Sequence, residues 1–231
     1  MTDDSNDHGK NDNAGDRQEV QRRGVRRTVA VLVVAVLVVM GLQVYKVTRD
    51  PPLDREALRE AGTMVFEQPR RISAFELVDH RGQPFTQNNL QEHWTLAFFG
   101  FTHCPDICPM AMADLSRMME QLPPALAKQT QVLLVTLDPA RDTPEVLAEY
   151  VPYFHDDFIG VTGEFLTIKR FANQVNVAFA KVTQGNDYTV DHSGHVVLFN
   201  PRGDYHAFFR PPLDPVKLGE HYQTIVNAFT F

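Results

Sequence analysis

Apolar positions recur along this chain in three ways, and each predicts a different kind of element. From Val29 to Leu42 they run without a charge (VAVLVVAVLVVMGL), and the stretch from Thr28 to Val47 reaches the roughly 20 residues a helix needs to span a bilayer. Two shorter solid runs, Trp94–Phe99 and Gln131–Leu137, predict strands covered on both faces. Arg71 to Val78 instead alternates with a period of two and stops at Asp79-His-Arg-Gly82, which reads as a strand and a turn. Met110 to Leu122 repeats with a helical period and ends at Pro123-Pro124.

The remaining segments follow the same logic. A short helix is expected near Gln87 to Gln91. Thr143-Pro144-Glu145 opens a helix, with threonine as N-cap and proline in the first helical position. Phe158–Val161, Ala178–Thr183 and Val196–Asn200 read as strands, and Glu164 to Gln174 as a helix. Pro201-Arg-Gly-Asp204 turns the chain into Tyr205–Phe209, and a last helix follows Asp214 to Ala228. Strands interleaved with helices, then a hairpin and a terminal helix, predict an α/β sandwich with a central mixed sheet.

This pattern divides the chain into four parts. Residues 1–27, polar and rich in Asp, Asn and Gly at their start, are expected to be a disordered tail. Residues 28–47 are the membrane segment. Residues 48–66 are a tether, with a short helix as the alternative from Pro51 onward. Residues 67–231, about 165 of them, suit one domain and can bury a core.

Charge fixes the expected orientation. Arg22, Arg23, Arg26 and Arg27 precede the apolar run, while Lys46, Arg49 and Arg55 beyond it are balanced by Asp50, Asp54 and Glu56. The positive-inside rule then holds the N-terminus in the cytoplasm and exports the domain. No small-x-small cleavage site follows Leu42, so an uncleaved anchor is expected rather than a removed signal peptide. The acidic N-terminus argues against a mitochondrial transit peptide. A net charge of −7 without a basic stripe on the exported part makes nucleic acid an unsuitable partner.

Candidate chemistry centres on Cys104-Pro-Asp-Ile-Cys108, the chain's two cysteines, where the strand Trp94–Phe99 hands over to a helix. Unpaired N–H groups and partial positive charge at a helix start favour thiolate, so the thiols are expected to titrate below the free-cysteine value of about 8.5. Side chains four apart share a helix face, so both sulfurs can converge on one ion. The spacing is one residue wider than the CxxC of thioredoxin-type oxidoreductases, which favours metal without excluding disulfide exchange. A thioredoxin-type fold places its active site at this strand end.

A third donor is His192, in the break Val190-Asp-His-Ser-Gly194 between two strand-like segments. Two thiolates with an imidazole make a soft site for Cu(I) that also accommodates Cu(II), whereas structural zinc wants four ligands. His103 and His195 lie nearby but are expected to stay outside the ligand set. Met110, Met112, Met118 and Met119 read as core or surface residues of a helix. Asp106 suits a local helix cap. Asp138, closing a central strand on the same edge, is a candidate to act on the site through its neighbours.

The motifs Gly100-Phe-Thr-His-Cys-Pro-Asp-Ile-Cys-Pro109, Thr136-Leu-Asp-Pro-Ala-Arg-Asp-Thr-Pro144, Val190-Asp-His-Ser193 and Asn200-Pro-Arg-Gly203 resemble the Sco/SenC family in order and spacing. The resemblance runs from about Phe75 to the C-terminus and includes the N-terminal anchor. It implies a thioredoxin-like domain in the periplasm, held to a bacterial inner membrane by one helix. It further implies copper delivery to the CuA centre of cytochrome c oxidase subunit II, with Cys104, Cys108 and His192 as ligands. Other copper chaperones or thiol reductants are the further partners it implies. The alternative is a tethered thiol–disulfide reductase that keeps the acceptor's cysteines reduced. A thiol peroxidase fits less well, because Thr102 lies two residues before Cys104 and the proline of the peroxiredoxin pattern P-x-x-x-T-x-x-C is missing.

Overall fold

The structure is a computed structural model, and it describes residues 12–49, 53–185 and 187–229, with backbone alone for 12–25 and 46–49. The chain separates into two compact units, Met1–Pro52 and Leu53–Phe231. In the first, one helix, α1, runs from Asp12 to Arg49. Within it Arg26–Tyr45, with a mean hydropathy of 2.5, is long and apolar enough to cross a membrane. The expected disordered tail is corrected in part: residues 12–27 are helical, and 1–11 lie outside the described residues. Arg17 to Arg27 holds no proline and is rich in Arg and Gln, which are good helix formers even on a polar segment.

The second unit opens with α2 (Arg55–Glu60), whose N-cap Asp54 accepts a 3.0 Å hydrogen bond from the Ala57 amide. There follow β1 (Thr63–Arg70), β2 (Glu76–Asp79), β3 (Pro84–Thr86), β4 (Trp94–Gly100), α3 (Ile107–Gln121), α4 (Pro124–Ala127) and β5 (Thr130–Thr136). The chain continues through α5 (Pro144–Tyr150), β6 (Ile159–Thr162), α6 (Phe165–Gln174), β7 (Phe179–Gln184) and β8 (Asp187–His192). It closes with β9 (Val196–Phe199), β10 (Tyr205–Phe209) and α7 (Pro215–Ala228).

Among the described residues, eight strands form one sheet in the order β1-β10-β9-β4-β5-β6-β2-β3. The central trio β4, β5 and β6 is parallel, with Trp94 opposite Thr130 and Gly100 opposite Thr136, and the flanks are antiparallel. This is the expected mixed sheet of a thioredoxin-like fold. Every residue of β4 is buried, as its solid apolar run requires. Strands β7 and β8 stand apart as a two-stranded hairpin.

From Leu53 onward the segment expected as a tether is structured, and the short helix given as its alternative is present as α2. Leu58 and Val65 join the core, and β1 supplies the strand that covers the outer edge of β10. Leaving that edge bare would expose unpaired backbone groups. The strand read from Arg71 is shorter than expected and begins at Glu76. Thr143 caps α5 through its side chain with Pro144 inside the first turn, as read.

Candidate metal centre

The dithiol loop is built on the most buried part of the sheet. β4 ends at Gly100, Phe101 remains buried, and the chain turns through residues 102–106 into α3. Gly100 is needed there for contact rather than for backbone freedom. A Cβ at this position would lie 2.7 Å from Phe98 Cε1 and 2.9 Å from the Cys108 sulfur, closer than side chains pack. The bare α-carbon therefore leaves the space that the sulfur fills.

Cys108, in the first turn of α3, is fully buried, while Cys104 is half-buried, and both are free thiols. His192 is the last residue of β8. The polar run read as a break is the end of a strand, because Asp191 and His192 mask its pairing with β7, where His192 lies opposite Phe179. The imidazole Nε2 is 3.5 Å from the Cys108 sulfur, and Nδ1 is 3.2 Å from the Ser193 carbonyl oxygen. With Nδ1–H donating to that carbonyl, the Nε2 lone pair is turned to the sulfurs. The rings of Phe98 and Phe101 stand edge-on to the imidazole at 5.9 and 6.0 Å. The two sulfurs and a His192 ring nitrogen all lie within 4.8 Å of one another.

Electrostatics correct one expectation. Burial pushes the Cys108 thiol far above the ordinary thiol range, and the neighbouring Cys104 and Asp142 add to the shift. Desolvation of an enclosed sulfur outweighs the field of the helix start. At neutral pH the Cys108 sulfur is therefore a thiol that an incoming cation must deprotonate. Burial also holds the His192 imidazole below its ordinary pKa, so it is neutral and able to donate its lone pair.

The other nearby candidates separate cleanly. His103 is exposed and hydrogen-bonds the Thr102 hydroxyl at 3.1 Å, outside the cluster. His195 lies outside it too, packed 5.1 Å from the Phe208 ring. Asp106 occupies the N-cap position of α3, but its side chain makes no capping hydrogen bond, which corrects that reading. Met112, Met118 and Met119 are buried, whereas Met110 is exposed. Asp138 accepts hydrogen bonds from Arg141 Nε and, at 2.9 Å, from the Tyr188 hydroxyl, so it touches the hairpin rather than the sulfurs.

Sequence reasoning passed over Asp142. It is fully buried and accepts hydrogen bonds from the Thr102 amide (3.1 Å), the Thr102 hydroxyl (2.6 Å) and the Thr136 hydroxyl (2.6 Å). It thus fastens the dithiol loop to the end of β5. The available signal was an aspartate flanked by the turn after Thr136 and the cap Thr143. Its main partner, Thr102, is 40 residues away in sequence.

The sequence model of SCO1/SenC matches residues 65–227. The chain belongs to the SCO1/SenC family. A protein of Stutzerimonas stutzeri is 40% identical over 163 residues, which cover 70% of this chain and 80% of that one. Protein SCO2, mitochondrial, of Saccharomyces cerevisiae is 37% identical over 155 residues, 66% of this chain and 50% of its own length. Among solved structures, yeast Sco1 with copper bound is 33% identical with a TM-score of 0.64, covering 70% of this chain and 91% of that chain. Arabidopsis thaliana ScoI with copper bound is 31% identical with a TM-score of 0.61, covering 68% and 98%. The matched region carries both cysteines and His192 and excludes α1.

Proposed function

We propose that this chain binds copper through Cys104, Cys108 and His192 and carries it as cargo to the CuA centre of cytochrome c oxidase subunit II. The observation that carries the reading is the convergence of two sulfurs and an imidazole nitrogen within 4.8 Å. That donor set is soft enough for Cu(I), and the nitrogen adds a third donor for Cu(II). Relatives that span this same region have been crystallised with copper bound. The family's link to oxidase assembly is stated for a fold neighbour described as a disulfide-switch member of the Sco family of cytochrome c oxidase assembly proteins. In this reading α1 anchors the chain in a bacterial inner membrane, with Arg22, Arg23, Arg26 and Arg27 on the cytoplasmic side and the domain in the periplasm.

Each donor has a distinct part. Cys104, half-buried, is the sulfur that an acceptor reaches first. Cys108 holds the ion from inside, and His192 closes the site from the hairpin. The same asymmetry favours a second reading. In a thiol–disulfide reductase the accessible Cys104 thiolate attacks an acceptor disulfide and expels one acceptor thiolate. Cys108 then attacks the mixed disulfide and expels the second. The acceptor gains two electrons, and this chain is left with a Cys104–Cys108 disulfide.

Copper titration of the reduced full chain in detergent separates the two. The copper reading expects one ion per chain, lost in Cys104→Ser and Cys108→Ser, with His192→Ala weakening Cu(II) more than Cu(I). Unchanged copper binding in all three variants, with disulfide exchange intact in the parent, would leave the reductase reading standing alone.

A further inference from the structure

The hairpin that carries His192 is fastened by groups outside the metal centre. On β8, residues 188, 190 and 192 share one face because side chains alternate along a strand. Tyr188 is half-buried, Val190 is buried and His192 meets the Cys108 sulfur, so the three pin that face over about 13 Å of strand. The far pin, Tyr188, is gripped by the turn that follows β5. Its hydroxyl donates to Asp138 Oδ1 at 2.9 Å, and the Arg141 guanidinium lies over its ring at 3.9 Å. Arg141 Nε donates to Asp138 Oδ2, and Nη1 donates to the Tyr188 carbonyl at 3.3 Å and to Asp187 at 3.4 Å.

Two routes lead from this guanidinium to the imidazole. One runs down β8 from Tyr188 through Val190. The other crosses Phe101, whose ring is 6.0 Å from the guanidinium carbon and 6.0 Å from the His192 ring. A planar fork that bonds a carboxylate and a carbonyl while stacking on an aromatic face cannot be reproduced by an ammonium. Strand β7 has five of six residues exposed; its Phe179 ring meets Phe165 at 6.0 Å, and its Lys181 ammonium lies 3.2 Å from the Tyr188 ring centre.

We propose that Arg141, seated on Asp138 and stacked on Tyr188, is the positioning residue that sets the reach of His192 to the dithiol. This rests on the copper reading above. Groups that orient a metal-ligating histidine without touching the ion typically change metal affinity by about 10-fold to 100-fold when removed.

The test uses the full-length reduced chain in detergent, titrated separately with Cu(II) and Cu(I). Arg141→Ala is expected to lower Cu(II) affinity by about 10-fold to 100-fold. Its thiolate-to-copper charge-transfer band and electron paramagnetic resonance spectrum should move to those of His192→Ala. Cu(I) affinity should change by less than about 3-fold, since two sulfurs still hold that ion. Tyr188→Phe should shift the spectrum the same way by less, and Arg141→Lys should not restore it. Adding Arg141→Ala to His192→Ala should cost no further Cu(II) affinity, because the arginine acts through the histidine. Parental Cu(II) affinity and spectrum in a folded Arg141→Ala chain would overturn the proposal, as would an additive double variant. If Arg141→Ala does not fold, a parental spectrum in Tyr188→Phe overturns it. A parent whose copper binding ignores His192→Ala would overturn the underlying reading, a different failure from an indifferent Arg141.

Discussion

The sulfur half and the nitrogen half of the site are held in different ways. Cys104 and Cys108 follow β4, a strand buried along its whole length and paired in parallel with β5, and Asp142 ties their loop down from beneath. His192 rides on a two-stranded hairpin outside the main sheet, reached through one stacked arginine and a tyrosine. The contrast teaches a division of labour. The thiols are part of the folded core, so disturbing them disturbs stability. The imidazole is carried by the hairpin, so substitutions outside the core are expected to reach it.

The strongest way to break the comparison is Asp142→Ala. It removes the acceptor of the half-buried Thr102 amide and hydroxyl and of the buried Thr136 hydroxyl. Each unsatisfied buried group costs about 1–3 kcal/mol, so a loss of roughly 3 kcal/mol is expected in urea unfolding of the apo-protein. Full stability in that variant would mean that the loop is held elsewhere. Gly100→Ala comes next. Its Cβ would intrude on Phe98 and on the Cys108 sulfur, and overpacking of this kind costs about 1–3 kcal/mol. Copper affinity should fall together with stability there, whereas Arg141→Ala, in the turn that holds the hairpin, should lower Cu(II) affinity without a matching loss of stability.

A pH series sharpens the same contrast. The Cys108 thiol titrates higher in the folded chain than in the unfolded one, because burial disfavours its thiolate. Above the unfolded thiol value the folded state therefore binds more protons, and stability falls as pH rises. Reduced apo-protein should lose up to about 1.4 kcal/mol per pH unit from this group above roughly pH 9, and Cys108→Ala should remove that component of the slope. An identical alkaline slope in Cys108→Ala would show that the sulfur is not desolvated. The smallest effect is expected from His103→Ala: an exposed side chain outside the cluster should change stability by less than about 0.5 kcal/mol and leave copper binding alone.

Much of the sulfur half was legible in the sequence because local rules and tertiary context agree on its placement, though burial reversed the expected titration of Cys108. A solid apolar run marks the buried strand, the dithiol marks the site at its end, and Thr143-Pro144 marks the start of α5. The nitrogen half was half-legible. His192 stood out chemically, but Asp187, Asp191 and His192 give β8 a polar look that hides the face shared by Tyr188, Val190 and His192. Asp142 and Arg141 were illegible for another reason. Their partners, Thr102 and Tyr188, are distant in sequence, and no local pattern announces a buried carboxylate or a stacked guanidinium. The edge strand β1 escaped because Glu67, Gln68, Pro69 and Arg70 break its apolar pattern, and only pairing with β10 defines it.

The most direct test of the account is X-ray absorption at the copper edge on reduced full-length chain loaded with one equivalent of copper. The account predicts two sulfur scatterers, one lost in each of Cys104→Ser and Cys108→Ser, and a nitrogen scatterer in the Cu(II) form that disappears in His192→Ala. A copper environment without sulfur, or one unchanged by those three substitutions, would contradict it.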